Sequence, residues 1–308
     1  MIPVTVLRVD VSGRRDFDLG HAPGSSLRGA FYAALGTLYD TRQSVTPDDW
    51  EENPVGWLLR LQDDTGFGGK DVPRPLSIRP PLAVEGSNFS FGLAFYGRAR
   101  HPQILSMVIS ALPMMGQLGV GRGRQVFTVD KVSFVDPITA QARPLVDTDG
   151  TIIASLPDAP VAATYHQMAN LLCQDQLTVE FLTPTRIIQQ KRLVHQPMFR
   201  PWVQRLLERT RNVSEVYMEQ PVWVPFKELL AQADKVVITQ DDTHWRNTWS
   251  GSRRDGMMKP LGGYVGRVSY SGPVADLMPY ILLGQSLQVG KNTIKGCGWY
   301  RVVYQWSS

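Results

Sequence analysis

The sequence predicts an α+β chain of two tandem ferredoxin-like (RRM-like) βαββαβ domains, with a Gly-rich loop ahead of each final strand. Three observations predict it. Strand-like and helix-like segments follow the same order twice along 308 residues. Both halves close alike, with MMGQLGVGRG running into VFTVDKV and LLGQSLQVGK running toward WYRVVYQ. The length itself is about twice that of a typical domain. The expected division is residues 1–140, with an acidic insertion at about 40–75, and residues 160–308, joined by a linker over 136–160.

The elements follow in order. Val4, Val6, Val9 and Val11 mark an opening strand. A helix starts at Ser25–Ser26, and Leu27, Ala30, Phe31, Ala34, Leu35 and Leu38 form its apolar stripe. Residues 40–71 carry eight Asp/Glu against three Arg/Lys, the mark of a solvated insertion. VPRPLSIRPPL leads into a strand over 90–97, a second helix spans 102–116, and QVFTVDKVSFV is the closing strand. The second half places strands at 177–183, near KVVITQ, at 262–272 and at WYRVVYQW. Its helices fall at 199–217 and 274–284.

Composition excludes several classes. No apolar run approaches the roughly 20 residues that span a bilayer, and MIPVTVLRVDVSGRR has no signal-peptide core. Two cysteines, Cys173 and Cys297, cannot build a disulfide framework or a four-ligand zinc site. A cytoplasmic protein without membrane association and without a metal or other cofactor is expected. The charge is uneven: residues 1–150 hold 15 basic and 16 acidic side chains, residues 151–308 hold 17 and 12. Arg supplies 24 of the 32 cations. Its planar fork suits phosphate and base stacking, although a high-GC genome also enriches it.

The chemistry-bearing residues point toward nucleic acid. Two Gly-rich loops enclose cations, Arg122 and Arg124 in one, Lys291 and Lys295 with Asn292 in the other. Glycine admits a phosphate backbone closely, or serves a tight turn. Neither loop is a P-loop, since G-x-x-x-x-G-K-[ST] is absent. The five histidines lack the spacing of a metallohydrolase. A histidine among cations can still run RNA cleavage, with one group taking the 2′-OH proton and another protonating the leaving 5′-oxygen. His21, in the loop DLGHAPGSS before the first helix, is the leading candidate; His166 and His244, the latter in the aromatic, basic stretch THWRNTW, stay open beside it. Arg28 and Tyr32 share a flank of that helix and are candidate partners. Residues 186–211 hold seven cations against Glu208 alone, among them Arg192, Arg205 and Arg209. A second cluster contains Arg246, Arg253, Arg254, Lys259 and Arg267 beside Trp245 and Trp249. Arginine interleaved with aromatics suits RNA.

The motifs in order resemble the CRISPR-associated repeat-RNA endoribonucleases of the RAMP superfamily. SSLRGAFYAAL resembles that family's first-helix motif and DVPRPLSIRPP its Pro-rich segment. MMGQLGVGRGRQVFTVDKV resembles the close of its first domain, FLTPTRI the opening of its second. KPLGGYVGRVSYSG and LQVGKNTIKGCGWYRV resemble its closing motifs. The resemblance implies binding of a CRISPR repeat hairpin and metal-independent cleavage that leaves a 2′,3′-cyclic phosphate and a 5′-hydroxyl. It also implies retention of the crRNA and assembly with other subunits of a CRISPR effector complex. A non-catalytic guide-RNA-binding subunit of such a complex is the alternative. The resemblance puts the catalytic histidine at His21; on the reading of the residues Tyr32 would assist it and Lys291 or Arg28 would stabilise charge. Two departures stand out. Gln288 occupies a position before V-G-K where relatives often have His, and the insertion lacks the cysteine cluster some relatives carry.

Overall fold

The computed structural model describes residues 1–39, 50–60, 72–146, 155, 158–172, 175–251 and 257–304. The first half contains β1 (Val4–Gly13), α1 (Pro23–Leu38), α2 (Pro54–Arg60), β2 (Leu76–Arg79), β3 (Asn88–Tyr96), α3 (Pro102–Leu118), β4 (Phe127–Val135) and β5 (Ala142–Val146). Its antiparallel sheet has the order β2-β3-β1-β4-β5. Stripped of the edge strand β5, that is the ferredoxin-like order. Alternation along β1 buries Val9 and Val11 and turns Arg8, Asp10 and Ser12 to the other face. Pro at the first helical positions starts both α1 and α3, whose apolar stripes pack together.

Helix α4 (Ala162–Leu171) leads to the second half. There β6 (Gln176–Thr185) is followed by a hairpin of β7 (Ile187–Gln189) and β8 (Arg192–Val194), then α5 (Phe199–Tyr217), α6 (Phe226–Ala233) and β9 (Val237–Arg246). A second hairpin of β10 (Trp249–Gly251) and β11 (Met258–Pro260) precedes β12 (Gly263–Ser271), α7 (Met278–Leu287) and β13 (Tyr300–Val303). The sheet order β13-β6-β12-β9 repeats that of the first half. Its core is aromatic: Trp202 of α5 stacks on Tyr270, with centroids 6.2 Å apart, and meets Phe181 edge-on at 5.7 Å.

Several expectations need correction. LSIR, read as the lead-in to a strand, is itself the second strand. The stretch read as a linker contains β5, which pairs with β4. Leu38, assigned to the buried stripe of the first helix, is 42% exposed at its last turn. The insertion is not wholly solvated: α2 buries Val55, Trp57 and Leu58, and Trp57 packs edge-on against Tyr217 at 5.4 Å. Net acidity dominated that window and hid a short apolar helix within it.

The two halves meet over a buried polar seam. Gln288 Nε2 donates to the Ile78 carbonyl at 2.8 Å, and Tyr217 OH donates to the Pro73 carbonyl at 2.5 Å. Tyr96 OH donates to Ser77 Oγ at 2.5 Å and lies 3.1 Å from the Ser286 carbonyl. Arg79 donates to the Gln285 carbonyl at 3.1 Å and lies over the Trp299 ring at 5.3 Å. Burial pulls its guanidinium down to about 10. No helix among the described residues is long and apolar enough to cross a membrane.

Candidate functional site

His21 stands at the end of a loop braced from several sides. Gln125 holds that loop, accepting from the Asp18 amide at 2.7 Å and donating to the Asp16 carbonyl at 2.5 Å. Asp18 Oδ1 accepts from the Gly20 amide at 2.8 Å, and Ser26 Oγ donates to the Leu19 carbonyl at 3.0 Å. Buried Leu19 on one side and the Pro23 helix start on the other leave His21 exposed between them.

Both Gly-rich loops converge on this segment. In the first, the Arg122 amide donates to the Asp18 carbonyl at 2.9 Å, and a Cβ at Gly121 would lie 2.1 Å from that oxygen. In the second, the turn Thr293–Lys295 packs against α1 so closely that a Cβ at Gly24 would lie 2.2 Å from the Lys295 carbonyl. Asn292, in the left-handed region at φ 65°, shapes that turn: its carbonyl accepts the Lys295 amide at 2.8 Å. The loops are equivalent in sequence but unlike in use. Gly290, Gly296 and Gly298 are consumed by packing against Arg186, Pro80 and Val289. Gly123 has open space around it, and Arg122 and Arg124 beside it are exposed. Lys291 is also exposed, with its amide bonded to the Arg186 carbonyl at 3.1 Å.

Between the halves lies a groove of about 420 Å³. His21 and Gly24 form one wall; Glu180, His244, Arg246 and Arg301 on the open face of the second sheet form another, with Lys295 and Cys297 at the side. Arg301 grips Glu180 through two nitrogens, at 2.8 and 2.7 Å, and Arg267 approaches the same carboxylate at 3.7 Å. The lining thus holds three cations, Arg246, Lys295 and Arg301, against one carboxylate that is already compensated, which makes the groove anion-attracting. Burial pushes the Cys297 thiol up to about 12, so it is inert at neutral pH. Among the described residues no group of three or more His, Cys, Asp or Glu could hold a metal ion.

The other sequence candidates lie elsewhere. The Arg28 guanidinium stacks on the Tyr32 ring at 4.4 Å, and the Arg28 Nε and Tyr32 OH atoms are buried without a hydrogen-bond partner. Tyr32 neighbours Tyr217, which puts it at the seam. It stands 11 residues from His21, so the helical rise alone carries it more than about 13 Å from the helix start. The structure does not bring Arg28 and Tyr32 to the groove lining. Arg209 is also at the seam, donating to the Leu287 carbonyl at 2.7 Å over the Tyr96 ring. Arg205 is paired with Glu208 one turn along α5. Arg192 is exposed on β8. Arg253 and Arg254 lie outside the described residues.

The sequence reading missed Glu180 and Arg301. The available signal was weak: each alternates outward on a strand whose partners are known only from register, with Arg301 opposite Glu180. Gln288 is fully buried at the seam, so its position is not part of the groove surface.

Two antiparallel sheets in ferredoxin order, with Gly-rich loops closing on a cationic groove between them, define a tandem RAMP-type fold. Residues 179–300 match the family model of the CRISPR-associated endoribonuclease Cas6, and residues 2–157 match a second model described as an N-terminal domain. The second half of the chain thus resembles the Cas6 family of CRISPR-associated endoribonucleases. Similar solved structures include a Cas6 product complex, at TM-score 0.62 and 14% identity over 98% of this chain and 99% of that one. Thermus thermophilus Cas6 gives 0.57 and 14% over 98% and 99%. A partial Cas6-RT-Cas1–Cas2 complex gives 0.59 and 16% over 99% of this chain and 46% of that one. At these identities the likeness is one of fold. No curated protein matches the chain.

Proposed function

We propose that this chain cleaves CRISPR repeat RNA by attack of a ribose 2′-OH on the adjacent phosphate, without a metal, leaving a 2′,3′-cyclic phosphate and a 5′-hydroxyl. The observation that carries this reading is the groove itself, whose lining an exposed imidazole, His21, shares with Lys295, Arg246 and Arg301. His21 acts as general acid or base. The cations offset the charge that develops on the phosphorane oxygens. The exposed cations Arg122, Arg124, Arg192 and Lys291 hold the flanking backbone. The product stays bound as crRNA, and the protein hands it to other CRISPR subunits.

Incubation with the host's repeat RNA in EDTA tests the reading. A single cut with a cyclic phosphate at the new 3′ end is expected. His21→Ala should slow that cut by about 10²–10⁴-fold, the usual weight of general acid–base catalysis, while hairpin affinity stays within about twofold. Tight binding with no cut by the native chain would instead make it a guide-RNA-binding subunit.

A further inference from the structure

Resting on the endoribonuclease reading, we propose that His244 is the second catalytic residue, exchanging a proton with the substrate from the opposite wall of the groove to His21. The reaction moves two protons. One leaves the 2′-oxygen as the O2′–P bond forms, and one reaches the 5′-oxygen as the P–O5′ bond breaks. Two groups are thus needed, one on each side of the phosphorus, and the groove lining holds few that qualify.

A census of that lining leaves two. Arg246, Arg301 and Lys295 have no acceptor lone pair, so none can take the 2′-OH proton. Guanidinium and ammonium groups are also acids too weak to match proton donation near neutral pH, so they serve the developing charge instead. Glu180 is gripped by Arg301 and approached by Arg267. The Cys297 thiol is buried and points its Sγ at the Leu261 carbonyl, 3.9 Å away. His21 and His244 remain. Both are exposed, and neither imidazole makes a hydrogen bond, ion pair or ring contact among the described residues. The other three histidines are otherwise placed. His101 lies 5.0 Å from the Trp50 ring, His195 lies 4.7 Å from Trp245, and His166 is on α4; none lines the groove.

Strand geometry explains why His244 faces in. Along β9 and beyond, His244, Arg246 and Thr248 alternate onto the groove side, while Trp245, Asn247 and Trp249 take the other. Val265 of β12 pairs with His244. The charged groups around it are Asp242 and Arg246 on its own strand and Arg267 on β12. Glu180 and Arg301 lie across the sheet, Lys295 on the loop and His21 on the first domain. The two imidazoles come from different domains. Each domain alone therefore holds half of the proton-transfer pair, and the seam sets their separation.

The test uses the full chain and two repeat RNAs, one ordinary and one with sulfur in place of the bridging 5′-oxygen at the scissile bond. A thiolate leaves without needing a proton. His244→Ala is expected to slow the ordinary RNA by about 10²-fold or more, with affinity within about twofold and an unchanged melting temperature, because the side chain is exposed. One of His244→Ala and His21→Ala should be rescued by the sulfur substrate and the other not; the rescued variant lacks the acid. The native pH–rate profile should be bell-shaped and lose one limb in each variant. Native-like cleavage by His244→Ala, or equal sulfur effects in both variants, overturns the role of His244 and leaves that of His21 standing. Failure of the native chain to cut either RNA overturns the endoribonuclease reading beneath it as well.

Discussion

Gly24 shows how a single residue positions the site. It lies in the first turn of α1, three residues after His21, with the Lys295 carbonyl where a Cβ would be. Gly24→Ala must push α1 away from the turn that carries Lys295. Overpacking of this kind costs about 1–3 kcal/mol, so the variant should melt lower than the native chain. It should also cleave more slowly than the melting shift explains, because His21 and Lys295 move apart. Equal loss at Gly29→Ala, where nothing lies within 4 Å, would remove the argument. The sequence marked His21 because a loop histidine before a Gly-rich helix start is visible in one dimension. Tyr32 and Arg28 were legible as one flank of a helix, but not as a flank that faces the other domain.

Helix α5 gives the corresponding lesson for an element. In sequence it belongs to the most basic window of the chain, yet its cations are paired or bonded. Arg200 meets Asp234 at 2.6 Å, Arg205 meets Glu208, Arg211 lies 3.5 Å from Glu215, and Arg209 bonds the Leu287 carbonyl. Two of the acids, Glu215 and Asp234, fall outside the window in which the charge was counted. Strand β9 is the reverse case: its acids Asp241 and Asp242 mask a groove-lining run at His244 and Arg246. Arg205→Ala should therefore leave repeat-RNA affinity within about twofold, whereas Arg246→Ala should weaken it several-fold and flatten its salt dependence by about one unit of log–log slope. Fluorescence anisotropy over a salt series checks both; equal effects would return α5 to the binding surface.

At the scale of the molecule the seam makes one body of two similar halves. Its hydrogen bonds run from side chains of one half to backbone carbonyls of the other: Gln288 to Ile78, Tyr217 to Pro73, Arg79 to Gln285. A buried carbonyl left without its donor costs about 1–3 kcal/mol. Urea unfolding of the native chain, followed by tryptophan fluorescence, should show one transition. Gln288→Ala with Tyr217→Phe should lower its midpoint or split it in two. A midpoint unchanged in that double variant would show the halves to be held by apolar contact alone.

Sequence periodicity by itself determined the two βαββαβ units, the helices at 102 and 199, the Gly-rich loops and the candidacy of His21. All of these depend on neighbours along the chain: alternation, the helical stripe and turn chemistry act over a few residues. Only the tertiary structure decided which cations are free to meet an anion, that both loops close on His21, and that His244, Arg246 and Arg301 share its groove. Those facts depend on strand register and domain packing, which join residues more than 200 positions apart and leave no local periodicity to read.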